Sequence, residues 1–202
     1  MSFRLGLTGG IGMGKTATAA IFTQLGHPVW DADAAVHRLY APGGFAVGLV
    51  GAAFPQAIAQ GPDGPHVDRT RLKQTLLDNP EQLATLEGIV HPLVAADRAA
   101  FIEAHRAAPI VVLDIPLLFE TGADAAMDGT AVVSAPAAVQ RARVLARPGM
   151  TAEALDMILS RQMPDADKRA RATWIIPTDT PETARQAVEA ICAAILEGRR
   201  HE

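Results

Sequence analysis

Eight consecutive residues, Gly9-Gly10-Ile11-Gly12-Met13-Gly14-Lys15-Thr16, fit the pattern G-x-x-x-x-G-K-[ST] at every fixed position. Glycines let the backbone curl until successive N–H groups face phosphate oxygens, and a helix starting just behind adds its positive end. Gly10, Ile11, Gly12, Met13, Gly14, Lys15, Thr16 and Ala17 are therefore the expected cradle for ATP. Lys15 would reach the β- and γ-phosphates, and the Thr16 hydroxyl is placed to ligate Mg²⁺.

Other chemistry-bearing residues lie further along. Asp31 and Asp33 follow a short apolar run. One of them is expected to accept a proton from an attacking hydroxyl or to hold Mg²⁺ through water. Asp33 is read in the catalytic role and Asp31 as the cap of the helix that follows. Asp114 closes a second apolar run, either as an acid contacting the metal through water or as a buried carboxylate satisfied by backbone donors. Arg143 and Arg147 are four residues apart, so they share a helix face while Arg141 points elsewhere. No acid stands four residues from that pair, which leaves it free to meet an external anion. Phosphoryl transfer needs cations of that kind over the transferring group, carried on a mobile segment. His91, followed by Pro92, is expected to start a helix; spacing alone gives it a surface or packing role.

These residues need elements to position them. Phe3 to Thr8 reads as a buried strand before the glycine loop, and a helix from Lys15 should stop at Gly26. His27 to Trp30 is a second strand, Ile110 to Asp114 a third, Thr130 to Ser134 a fourth and Trp174 to Ile176 a fifth. Continuous apolar runs alternating with helices predict an α/β fold, a parallel sheet covered on both faces, with ligands beyond the carboxyl ends of the strands. Between strands two and three, residues 45–107 are expected to form an insertion of three or four helices. These include Arg69 to Leu77, Pro80 to Ile89 and Pro92 to Ala107, with a turn at Gly61-Pro62-Asp63-Gly64-Pro65. Helices are predicted from Ala34 to Tyr40, Ala137 to Ala146, Thr151 to Gln162 and Pro181 to Gly198.

The bulk numbers narrow the class. The chain has 202 residues, 49% hydrophobic and 20% charged, enough for one domain with a full core. A net charge of −4 gives no global field for nucleic acid or anionic membrane. Residues 136–171 nevertheless hold seven Lys and Arg against four acids. The single cysteine, Cys192, rules out an internal disulfide and reads as a core residue. No apolar run is long enough to span a membrane, and the glycine loop comes too early for a signal peptide, so a cytosolic protein is expected.

Together the motifs resemble the dephospho-CoA kinase family over nearly the whole chain. The likeness rests on Leu7 through Thr16, on Asp31-Ala32-Asp33 with His37, and on Leu86-Glu87-Gly88-Ile89-Val90-His91-Pro92. Asp114-Ile115-Pro116-Leu117-Leu118-Phe119-Glu120, Gln140 through Arg147, and Arg161-Gln162-Met163-Pro164 with Lys168-Arg169 complete it. The resemblance implies a P-loop kinase core (about 1–44, 108–135 and 172–202) with a five-stranded parallel sheet. It adds a helical CoA-side insertion at 45–107 and an arginine-bearing lid at about 136–171. It also implies ATP and dephospho-CoA as substrates, Mg²⁺ with the ATP, and a monomer or weak homo-oligomer. Asp33 would take the 3′-hydroxyl proton, Arg143 and Arg147 would be lid cations, and His91, Pro116, Leu117, Leu118 and Glu120 would face dephospho-CoA. Two positions depart from the family. Met13 stands where a small residue is usual, and Ile176-Pro177-Thr178-Asp179 replaces a segment expected beside the adenine, where Pro177 has no N–H to donate. Another small-molecule P-loop kinase is the alternative. A GTPase-like switch is disfavoured, because the only Asn, Asn79, precedes Pro80 rather than opening an Asn-Lys-x-Asp signature.

Overall fold

Residues 2–198 are described by a computed structural model. They form two compact units, residues 2–30 with 105–198, and residues 31–104.

The first unit is built on a five-stranded parallel sheet in the order β2-β5-β1-β6-β7. Its strands are β1 (Phe3–Thr8), β2 (Val29–Asp31), β5 (Ile110–Asp114), β6 (Gly129–Ser134) and β7 (Trp174–Pro177). β5 and β6 are buried at every residue, as strands covered on both faces must be. Register pairs Leu7 with Asp114 and Ser134 with Pro177, which brings the ends of β1, β5, β6 and β7 to one edge of the sheet. Helix α1 (Lys15–Gln24) leaves the glycine loop and ends before Gly26, whose φ of 86° suits a glycine. Helix α9 (Pro181–Gly198) closes the unit, packing Val188, Ile191 and Cys192 into the core with Leu5, Phe22 and Val112. Burial and the nearby Glu189 push the Cys192 thiol up to about 11, in keeping with a core role. Three helices lie between β6 and β7: α6 (Ala137–Leu145), α7 (Ala152–Ser160) and α8 (Asp165–Arg171). α8 has no counterpart in the sequence reading, because its DADKRAR run has no apolar stripe beyond alanine.

The second unit contains α2 (Ala32–Tyr40), α3 (Phe45–Ala53), α4 (Arg69–Asp78) and α5 (Leu83–Ala104). It departs from expectation in two ways. The predicted turn at 61–65 is the tip of a β-hairpin, β3 (Ile58–Gly61) and β4 (Gly64–Val67), antiparallel, with Pro62-Asp63 as its two-residue loop. The predicted helices at 80–89 and 92–107 are one 22-residue helix, with a single 3₁₀ turn at Pro80–Gln82 before it. Pro92 sits inside α5, so His91 lies mid-helix and does not begin one. Leu86, Ile89, Val90, Leu93 and Val94 form one unbroken stripe against the unit's core, and that packing outweighs the single backbone bond Pro92 forfeits. The carbonyl deprived of its partner belongs to exposed Gly88, where water can reach it.

Candidate active site

The glycine loop is shaped by contacts that only glycine permits. A Cβ on Gly9 would lie 2.3 Å from Val133 Cγ2 and 2.8 Å from the Val133 carbonyl oxygen. Gly12 and Gly14 take φ of 75° and 91°. α1 then starts at Lys15 with no side-chain cap and no acid in its first turn, and Thr16 and Ala17 are exposed. Uncapped N–H groups at a helix start, beside a lysine and a hydroxyl, make an anion site.

Lys15 forms an ion pair with Asp114, which is 2% exposed and stands beside Leu7 at the end of β5. The backbone polar groups of Ile11 are held from two points of the helical segment between β6 and β7, one on α6 and one between α7 and α8. The Gln140 Nε2 amide donates to the Ile11 carbonyl at 2.8 Å, and the Ile11 N–H donates to Gln162 Oε1 at 3.2 Å. Met13 is buried, its Sδ accepting the Ala135 N–H at 3.2 Å. Its N–H, expected to be available as a donor, goes to the Gly10 carbonyl at 3.2 Å.

Thr178 ties this loop to Arg143. Its hydroxyl donates to the Met13 carbonyl at 2.7 Å, and its N–H donates to the Ser134 carbonyl. Arg143 donates to the Thr178 carbonyl at 2.6 Å and approaches Oγ1 at 3.3 Å. Arg143, expected to be free for an outside anion, is thus fixed in place, but by neutral acceptors that leave its charge uncompensated. Arg147 lies past the last residue of α6, its side chain exposed and making no hydrogen bond or ion pair to any described residue. The shared helix face predicted for the pair is therefore incomplete. Arg141 pairs with Asp156 of α7 at 3.1 Å.

After β5, the Pro116–Glu120 segment divides its side chains. Pro116 is partly exposed and its carbonyl accepts from the Thr8 hydroxyl at 3.1 Å, while Leu117 is 40% exposed. Leu118 is fully buried and would touch a Cβ on Gly6, so it is a packing residue rather than a substrate-facing one. Glu120, also expected to face substrate, is committed within the protein. Its Oε1 accepts the Met163 N–H at 2.9 Å and meets Lys168 Nζ at 2.7 Å. Burial alone would raise the Glu120 carboxyl; the Lys168 and Met163 contacts outweigh it and hold the group below the usual range.

In the second unit, the Asp31 carboxylate accepts the Ala34 N–H at 2.9 Å and caps α2, as its place before a helix predicts. Asp33 lies in the first turn of α2, exposed, its carboxylate making no hydrogen bond or ion pair to a described residue, and His91 on α5 is likewise exposed. No cluster of three or more metal-ligating side chains exists among the described residues.

Sequence reasoning counted Gln140, Gln162 and Lys168 among the motifs and Thr178 in the segment expected beside the adenine, but gave none of the four its observed contact. Uncharged amides and hydroxyls in the middle of motifs carry no spacing signal. A lysine on the inward face of a short charged helix is detectable only once that helix is known.

A parallel sheet, a glycine loop opening onto an uncapped helix and a lysine at its first position define a P-loop nucleotide-binding fold, here of the P-loop kinase class. The sequence model of the dephospho-CoA kinase family matches residues 3–183. A dephospho-CoA kinase from Jannaschia sp. is 54% identical over 98% of this chain and 100% of its own, and one from Cereibacter sphaeroides 56% identical over 96% of each. The crystal structure of TT1252 from Thermus thermophilus shares 35% identity and 97% of each chain at a TM-score of 0.80. The chain belongs to the dephospho-CoA kinase family. Its reaction is phosphorylation of the 3′-hydroxyl of dephospho-CoA, the last step of coenzyme A synthesis.

Proposed function

We propose that the loop from Gly10 to Ala17 holds the ATP phosphates and that Asp33 accepts the proton of the attacking 3′-hydroxyl. The supporting observation is α1 itself, whose uncapped N–H groups and Lys15 converge where the loop ends. As the acceptor oxygen bonds to the γ-phosphorus, the bond to the ADP oxygen breaks and the hydroxyl proton passes to Asp33. Lys15 leaves Asp114 for the phosphates. Arg143 and Arg147 supply positive charge to the transferring group from the lid, residues 136–171, Arg143 held by Thr178 and Arg147 from the exposed turn after α6.

Thr16 Oγ1, with Asp114 through water, would hold Mg²⁺; hydroxyl and carboxylate oxygens suit that hard cation, which also draws ligands from phosphate and water. When bound, the ion neutralises charge on the β- and γ-oxygens. Pro116, Leu117 and, in the second unit, His91 meet dephospho-CoA, and residues 45–107 form the CoA side. Thr178 spends its N–H and carbonyl inside the protein, so adenine recognition does not rest on that backbone. The enzyme works in the cytosol on small molecules, without nucleic acid or membrane, as a monomer or weak homo-oligomer. In support, no described helix is long and apolar enough to cross a bilayer.

The test is incubation with ATP, Mg²⁺ and a panel of alcohol acceptors, followed by mass analysis. CoA and ADP are expected from dephospho-CoA alone. Faster phosphorylation of a nucleoside or sugar would overturn the reading.

A further inference from the structure

Lys168 is the one charged side chain with 0% exposure among the described residues, and its ammonium makes no hydrogen bond beyond the ion pair with Glu120. Burying an ammonium is costly, and a well-packed apolar residue would commonly be as stable or more so. Stability alone is a poor account of it.

Its partner joins two segments. Glu120 ends the stretch that begins at Pro116, and its Oε1 also takes the Met163 N–H, one residue past Gln162, which holds the phosphate loop. The same helix, α8, fastens the following turn. Arg171 pairs with Asp124 at 2.9 Å and lies over the Phe119 ring at 4.8 Å. At the other end of the stretch, Pro116 is tied to β1 through Thr8, and the Ile115 N–H donates to the Leu7 carbonyl at 2.9 Å. Pro116 and Leu117 thus lie between two anchors, one on the sheet and one on Lys168.

We infer that Lys168, acting through Glu120, is a positioning residue that sets the placement of Pro116 and Leu117 for dephospho-CoA. This rests on the reading that those two residues meet that substrate. Without the latch the stretch keeps its sheet anchor and the Arg171 contacts but loses the ionic hold at Glu120, so Pro116 and Leu117 shift against the acceptor while the phosphate loop keeps its own contacts. A misplacement near 1 Å can cost up to about a hundredfold.

The double variant Glu120→Gln/Lys168→Met tests this, because it removes both charges, keeps volume and leaves an oxygen for the Met163 N–H. Expected are a melting temperature near that of the wild type, KM for ATP within twofold, and KM for dephospho-CoA raised tenfold or more. An unchanged KM for dephospho-CoA, or equal rises for both substrates, would overturn the latch. Should the double variant not fold, Glu120→Gln alone is titrated with dephospho-CoA at equilibrium. Tenfold weaker binding is expected, and wild-type affinity would overturn the proposal. Leu117→Ala separates the two levels. If it raises KM for dephospho-CoA while the double variant does not, only the latch fails; if it leaves that KM unchanged, the substrate-side reading falls and the latch with it.

Discussion

Lys15, Arg143 and Glu120 of the first unit each make a polar contact with a named partner, Asp114, Thr178 and Lys168 respectively. Asp33 and His91 of the second unit lie exposed on α2 and α5, their side chains without a bond to any described residue. Arg143 is held in place before any ligand arrives, which lowers the cost of reorganising dipoles around a developing negative charge, whereas Lys15 is held by Asp114 and exchanges that partner for the phosphates. Charges on exposed helix faces must be ordered by what they bind. Substitutions in the first unit should therefore disturb fold and function together, and those in the second should separate them.

Lys15→Ala is the sharpest test and the largest effect. Turnover should vanish, and stability should also fall, by as much as about 3 kcal/mol, because Asp114 is left as a buried carboxylate without its lysine. Lys15→Met/Asp114→Asn should recover most of that stability and none of the activity, read by denaturant titration alongside ADP release. A stable, inactive Lys15→Ala would show that the pair does not hold the fold. Asp33→Asn is the counterpart in the second unit. Turnover should drop by roughly 10²–10⁴, the range for losing a general base, with substrate affinities within a few-fold and melting temperature unchanged. Matching losses of stability for Asp33→Asn and Lys15→Ala would erase the contrast between the units.

The same contrast governs what the sequence could disclose. β1, β5 and β6 are short, mainly apolar runs between loop signals, and their ends place Asp114 and the glycine loop on one edge of the sheet, so that part of the fold was readable before the structure. In the second unit, local signals competed with packing. Pro92 reads as a helix break, yet the stripe from Leu86 to Val94 continues through it. Ile58 to Gly61 is too short, and β4 carries Pro65, so the hairpin read as a turn. Side-chain commitments were the least legible. That Arg143 is pinned by Thr178, that Leu118 is buried and that Glu120 serves Lys168 all depend on contacts far apart in sequence.

Thr178 offers an intermediate effect. Thr178→Val keeps the shape but strips the donor from the Met13 carbonyl and one acceptor from Arg143. Stability should fall by about 1–3 kcal/mol, the cost of a buried group left unpaired. KM for ATP should rise several-fold, and Thr178→Ser should restore both. A destabilised variant with wild-type KM for ATP would confine Thr178 to packing.

The smallest expected effect is at Asp31, and it tests how far exposure in the second unit protects function from local stability. The Asp31 carboxylate satisfies the Ala34 N–H at 2.9 Å, one of the four donors a helix start leaves open. Asp33 sits inside that first turn. Asp31→Ala removes the cap and should cost about 1 kcal/mol. It should also lower turnover a few-fold, because a fraying first turn presents the Asp33 carboxylate less often in one geometry. Asp31→Asn retains an oxygen acceptor of the same reach and should be near wild type in both respects. Urea unfolding and single-turnover kinetics on the three proteins decide it. Were Asp31→Asn inactive and Asp33→Asn active, the two roles would be exchanged, with the cap taking the proton and the exposed acid serving the helix.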